Sequence, residues 1–177
     1  PLTEIQHAYL VSRGDSSSQA TVGTTYCQIF AVDEIDLDRL DAAWGKVQKR
    51  HGMMRASVEE DGTQSIAPSS KIGHIERAEC ANSSEAKQQL EEIKRTVFAL
   101  AKPPLHRVVS ISWHEESGKQ TRLVFCFDYT VLDALSVMTV LAELAELYEN
   151  PGADLPGIGL TFRDFVVGHR RDGREVE

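Results

Sequence analysis

The sequence contains no run of about 20 consecutive apolar residues, the length a membrane-spanning helix requires, so no membrane partner is expected. Its first residues, Pro1 to Ala8, carry no basic region and no apolar core, so nothing there reads as an export signal. Net positive charge is also missing: 19 Lys and Arg against 27 Asp and Glu leave a formal charge of −8. Such a surface repels phosphate, which argues against nucleic acid and anionic membranes as partners. One basic cluster, His169 to Arg174, lacks interleaved aromatics and reads as a solvated helix face. Cysteine is scarce: Cys27, Cys80 and Cys126 are odd in number, far apart and without CxxC spacing, so neither disulfides nor a zinc site are expected. Cys27 and Cys126 fall in apolar strand-like runs, where a reduced thiol behaves as a small hydrophobe, and a reducing cytoplasm is the expected compartment. No pair of His residues has the i, i+4 spacing of a helical metal site, and there is no internal repeat or low-complexity segment.

What is present is ordinary for a globular chain. With 177 residues, 41% hydrophobic and 26% charged, it can build one compact domain or one half of a two-lobed unit. It opens on Pro1 and runs directly into helix-like sequence, which reads as a cut inside a longer polypeptide.

Periodicity predicts a short helix over Thr3–Arg13, capped by Thr3, with Ile5, Ala8 and Tyr9 on its inner face. A Ser-rich loop follows over Gly14–Gly23, then an interior strand over Thr24–Ile35. Asp36 begins a helix on which Leu37, Leu40, Ala43, Trp44 and Val47 share a face, and Gly52 stops it. Met53–Glu59 and Thr63–Ala67 read as a hairpin around Asp61-Gly62. After a connecting stretch, Ser83 or Ser84 caps a helix expected to reach Ala101, ended by Pro103-Pro104. Arg107–His114 and Thr121–Tyr129 are strands around the turn Glu116–Lys119; the second is apolar on both faces and belongs in the middle of a sheet. Ala134–Glu149 is a helix, and a last one starts at Thr161. The order αβαββ(β)αββαα, with the bracketed strand optional, gives an α+β class, an α/β layered sandwich with a mixed β-sheet and helices packed on it.

The string Phe127-Asp128-Tyr129-Thr130-Val131-Leu132-Asp133-Ala134-Leu135-Ser136 stands out. Asp128 follows five apolar strand residues, where an ionised carboxylate needs a donor or a cation. Burial would raise its pKa and a nearby Arg would lower it, and the local sequence leaves both open. Asp133 is placed to cap the next helix through the N–H of Leu135 or Ser136, and Ser136 is its third residue. On local grounds Asp133 is as readily a plain cap as a functional group, and Ser136 lacks the GxSxG surroundings of a nucleophile. His7 reads as a surface residue, His51 as a helix-end residue, and Arg163 with Asp164 as a local ion pair.

The D-x4-D-x2-S pattern at a strand-to-helix junction resembles the signature of heterocyclization domains of nonribosomal peptide synthetases, the condensation-domain variants in which it replaces HHxxxDG. Pro1-Leu2-Thr3-Glu4-Ile5-Gln6-His7-Ala8-Tyr9 with Arg13 resembles PLTxxQxAYxxGR, with Ser12 where a Gly is usual. Arg50-His51-Gly52-Met53-Met54-Arg55 resembles RHxMLR, and Leu160-Thr161-Phe162-Arg163-Asp164-Phe165 resembles (L/S)xFRDY. The four motifs occur in the family's order and cover nearly the whole chain. The resemblance implies a lobe similar to chloramphenicol acetyltransferase, with residues 1–177 as the N-terminal lobe and the C-terminal lobe outside this sequence. It also implies substrates carried on the phosphopantetheine of upstream and downstream peptidyl carrier proteins, with no cofactor or metal bound directly by this chain. The implied activity is amide formation with Cys, Ser or Thr, followed by cyclodehydration to a thiazoline or oxazoline in the assembly of natural products such as siderophores. On this reading Asp128 faces the substrate tunnel, Ser136 supports the loop, and Asp133 is structural, held by an ion pair for which Arg55 is the candidate. An amide-forming condensation domain that does not cyclize, or a non-catalytic docking half, are the alternatives.

Overall fold

The computed structural model describes residues 2–14 and 24–171; Pro1, most of the expected Ser-rich loop and the end of the basic cluster lie outside them. The described elements are α1 (Glu4–Gly14), β1 (Thr25–Val32), α2 (Leu37–Arg50), a 3-10 turn (Gly52–Arg55), β2 (Ala56–Val58), β3 (Gln64–Ile66), β4 (Glu76–Glu79), α3 (Ser83–Lys94), β5 (His106–Glu115), β6 (Gly118–Asp128), α4 (Ala134–Glu149) and α5 (Phe162–Arg171). The optional strand of the sequence reading is β4.

Four strands form a mixed sheet in the order β1-β6-β5-β4, antiparallel except for the parallel β4–β5 pair, while β2 and β3 form a separate hairpin. The apolar run of β6 explains its central place, because alternate side chains enter two different cores. Leu123, Phe125 and Phe127 pack with Trp44 and Val47 of α2 and with Val137, Val140 and Leu144 of α4. Val124 and Cys126 turn to the other face, against Ala86 and Ile93 of α3. The result is a layered α+β lobe with helices on both faces of the sheet.

Several expectations are corrected. Among the described residues β1 lies at the sheet edge, hydrogen-bonded to β6 alone, and Phe30 on it is 39% exposed. The third helix ends at Lys94 instead of Ala101, and the segment after it is held by tertiary bonds in place of helical ones. Leu100 accepts the N–H of Val58 at 2.9 Å, and Phe98 accepts from Arg13 Nη1 at 3.0 Å. Its cap is Asn82, which accepts from Ser84 and Glu85, one residue before the expected Ser83. The β5–β6 turn is tighter than expected, with Glu115 opposite Gly118 and Gly118 at φ 113°. Asp164 accepts from Thr161, whose hydroxyl holds that carboxyl below its usual range, so α5 starts on a cap and not on an Arg163–Asp164 ion pair.

The expectation of reduced cysteines is also overturned. Antiparallel register sets Cys27 of β1 directly opposite Cys126 of β6, with Cα atoms 4.1 Å apart, and the two are joined as a disulfide. Cys80 is buried and free. None of the described helices is long and apolar enough to cross a membrane.

α1 departs most from the apolar pattern. Ile5 is 59% and Val11 58% exposed, whereas Gln6 is 4% exposed and Tyr9, Leu10 and Arg13 are half-buried. The docked stripe is thus 6-9-10-13, anchored by two polar side chains. Thr3 and Gln6 form a reciprocal capping box: the N–H of Gln6 donates to Thr3 Oγ1 at 3.3 Å, and that of Thr3 to Gln6 Oε1 at 3.0 Å.

Candidate functional site

The apolar end of β6 delivers Asp128 into the interior, where it is 0% exposed. A carboxylate so placed is costly to ionise without compensation. Arg13 of α1 supplies it, its Nη2 pairing with Asp128 Oδ2 and with the hydroxyl of Thr24. Thr24 Oγ1 in turn donates to Asp128 Oδ1 at 3.1 Å, and the N–H of Thr130 donates to the same oxygen at 2.9 Å. The backbone is as fully engaged: Asp128 N–H donates to Leu105, and its carbonyl accepts from Val131 and Leu132. A fully buried carboxylate with one oxygen accepting two donors and the other paired with a guanidinium is an anchor and not an open base.

From this anchor the chain climbs to the surface in five residues. Thr130, Val131 and Leu132 remain buried, and the carbonyl of Thr130 accepts from Gln6 Nε2 at 2.7 Å. Asp133 then emerges exposed as the N-cap of α4, where its Oδ1 accepts the N–H of Ser136 at 2.7 Å. Ser136 is half-buried in the first turn of α4, between the open side chains of Leu135 (72% exposed) and Met138 (68%).

The cap expected of Asp133 is present, but the ion pair expected of it belongs to Asp128. Asp128, expected to face a tunnel, is the sealed ion-paired residue, and Asp133, expected to be the ion-paired one, is at the surface. Arg55 does not meet Asp133. Its guanidinium donates instead to the carbonyls of Gln48 and Lys49 at the end of α2 and to Ala67 at 3.1 Å, closing orphan helix carbonyls that have no backbone partner. Asp128, Asp133 and Ser136 do share one strand-to-helix connection; Arg55 belongs elsewhere.

Arg13 and Gln6 are what the sequence reading missed, both quoted as motif letters and given no role. The T-x-x-Q spacing of a capping box was the available signal for Gln6. A second polar junction ties α2 to α4: Arg50 Nε donates to both oxygens of Glu143 at 3.1 Å, and His51 Nε2 lies 2.5 Å from Glu143 Oε2. His51 is the C-cap of α2, as its helix-end reading implied, and His7 is exposed. His106 is different: it is 4% exposed, stacked edge-on to Trp44, and burial pushes its pKa down to about 4, so it is neutral at pH 7.

Comparison with known proteins completes the description. The condensation-domain family model matches residues 1–175. Among curated proteins, the chain is 29% identical to bacitracin synthase 1 of Bacillus licheniformis over 94% of its own length and 3% of that protein. It is 30% identical to phenyloxazoline synthase MbtB of Mycolicibacterium paratuberculosis over 93% of its length and 14% of that protein. Among solved structures it superposes on the EpoB NRPS cyclization-docking bidomain from Sorangium cellulosum with a TM-score of 0.85 and 28% identity, covering 97% of this chain and 34% of that one. The chain thus spans about a third of that solved relative and a small fraction of the curated ones.

Proposed function

The chain belongs to the condensation-domain family, and from that premise we propose that it is the N-terminal lobe of a heterocyclization domain in a nonribosomal peptide synthetase. The observation that carries this reading is the Asp128–Asp133–Ser136 connection, an acidic pattern on a pinned strand-to-helix junction. The likeness to a cyclization bidomain and to a phenyloxazoline synthase supports it.

The reaction has two stages. The amine of a carrier-bound Cys, Ser or Thr attacks the carbonyl of an upstream acyl thioester; the C–N bond forms, the C–S bond breaks, and the phosphopantetheine thiol leaves with a proton. The side-chain thiol or hydroxyl then adds to the new amide carbonyl, and loss of water leaves the C=N bond of a thiazoline or oxazoline. An exposed carboxylate is a weak base at neutral pH, so the contribution assigned to Asp133 is to orient an amine or a water molecule by accepting its hydrogen bond. Ser136 stands beside it as a second polar group, and Asp128 with Arg13 fixes the chain from which both project. Proton transfer in dehydration falls to groups on the second lobe.

The test is turnover with two loaded carrier proteins. No product from this chain alone, and a thiazoline or oxazoline once the second lobe is supplied, is the expected result. Amide without a ring, with both lobes present, would reject cyclization and leave plain condensation. No product in either case would favour a non-catalytic docking half.

A further inference from the structure

We propose that Gln6 is a positioning residue for the Asp128–Ser136 connection, setting the path by which the chain leaves the buried anchor and presents Asp133; this rests on the functional reading above. A Gln side chain carries one acceptor oxygen and two N–H donors, and a buried one has to place them all. In Gln6 the two ends do separate work. Oε1 closes the capping box of α1, accepting the N–H of Thr3 at 3.0 Å, and also accepts Nε2 of Gln64 at 3.2 Å, but makes no bond to the acidic connection. Nε2 serves the acidic connection, donating to the carbonyl of Thr130 at 2.7 Å and to Gln64 Oε1 of the β2–β3 hairpin at 3.1 Å.

That second set joins three segments far apart in sequence at one amide. Thr130 is midway between Asp128 and Asp133 and is 1% exposed, so its carbonyl has no access to water in place of Gln6. On one side of Thr130, its own N–H is fixed by Asp128 Oδ1, and the N–H groups of Val131 and Leu132 are fixed by the Asp128 carbonyl. The Gln6 bond fixes the remaining backbone polar group of Thr130. With it, the peptide between Thr130 and Val131 is held at both its carbonyl and its N–H; without it, only the Val131 N–H bond to the Asp128 carbonyl orients that plane, and Asp133 shifts as the plane loosens.

The two ends of the amide can be tested separately. Gln6→Glu keeps an acceptor for Thr3, since T-x-x-E is an equally good capping box, but turns the donor facing Thr130 into a second acceptor. Thr3→Ala does the converse, weakening the cap and leaving the Gln6 amide intact. Amide hydrogen exchange near pH 8 reads both regions in the same sample. The expected result for Gln6→Glu is about tenfold faster exchange at Thr130, Val131 and Leu132, the loss of one buried hydrogen bond, with the α1 amide of His7 unchanged. For Thr3→Ala the expected pattern is the reverse. If both variants loosen the connection alike, it only follows the docking of α1, and the proposal is overturned; it is equally overturned if neither alters exchange there.

In the two-lobe assay, Gln6→Glu should lower kcat about tenfold with little change in KM, as befits misplacement of a group acting after substrate is bound. If wild-type protein makes no ring in that assay the functional reading fails, while the exchange pattern still decides whether Gln6 holds the connection.

Discussion

Replacing Arg13 by Ala separates a structural Asp128 from a catalytic one. The pair has side-chain exposures of 14% and 0%, so solvent screens it little. With Arg13 gone, Asp128 keeps only the Thr24 hydroxyl and the Thr130 N–H, two neutral donors for a charge with no access to water. Removing one partner of a buried ion pair costs about 3–5 kcal/mol. For a domain of this size that is a fall of roughly 10 °C in the thermal midpoint. Asp128→Ala leaves a guanidinium that is partly exposed and still bonded to the Phe98 carbonyl, so its cost should lie toward the lower end of that range. Asp133→Ala removes a surface cap and should cost about 1 kcal/mol. Chemical denaturation of the three variants and of the Arg13→Ala/Asp128→Ala double variant gives the ordering and a coupling energy, expected at about 2 kcal/mol or more. If Asp133→Ala were the most destabilising of the three, or if Arg13→Ala cost less than about 1 kcal/mol, the assignment of Asp128 as anchor would be refuted.

Three further outcomes follow from other parts of the lobe. His106 is held neutral with a pKa of about 4 while an unfolded His takes up a proton near 6.5, so stability is full above about pH 6.5 and declines as pH falls toward 4, by about 3 kcal/mol in total. His106→Phe should flatten that part of the stability–pH curve measured by urea unfolding; an unchanged slope contradicts the burial argument. Arg55→Ala should cost about 1–2 kcal/mol through its lost carbonyl bonds, and should add to Asp133→Ala within about 0.5 kcal/mol in a double-mutant cycle; a larger coupling would restore the ion pair between them. Alkylation of unfolded, unreduced protein should label Cys80 alone, and all three cysteines after reduction, with folded protein reacting slowly because burial pushes the Cys80 thiol up; equal labelling of all three without reduction would disprove the Cys27–Cys126 link.

The legible parts of the sequence were those fixed by neighbours in the chain. α2 has its Asp36 cap, its apolar stripe and its basic last turn all within 15 residues, and the β2–β3 turn has Asp61 before Gly62 at φ 78°. β6 announced its central place by being apolar on both faces. What escaped was settled across the fold. The segment after α3 is held by Val58 and Arg13 at the carbonyls of Leu100 and Phe98, and nothing local marks Lys94 as the last helical residue. β1 is apolar enough for an interior strand, but among the described residues the sheet has no strand beyond it. The connection of Asp128, Asp133 and Ser136 was visible; which of the acids would be sealed was not, because its cation is 115 residues away on a helix whose docked face is polar. A search for apolar periodicity in α1 selects Ile5, the side chain that faces out.

The same separation has a consequence for how the lobe is made. α1 is the first described helix to leave a ribosome, yet two of the groups that hold it, Asp128 and the Thr130 carbonyl, follow their partners Arg13 and Gln6 by 115 and 124 positions. At about 5–20 residues per second, the helix waits on the order of ten seconds for its Asp128 and Thr130 partners. A helix of 11 residues is marginal in water by itself, so this segment stays unstructured during that interval and docks only when β6 is complete. Closure of this N-terminal brace is thus expected to be a late event in maturation, and the segment before β1 to be the most vulnerable to proteases on a stalled nascent chain.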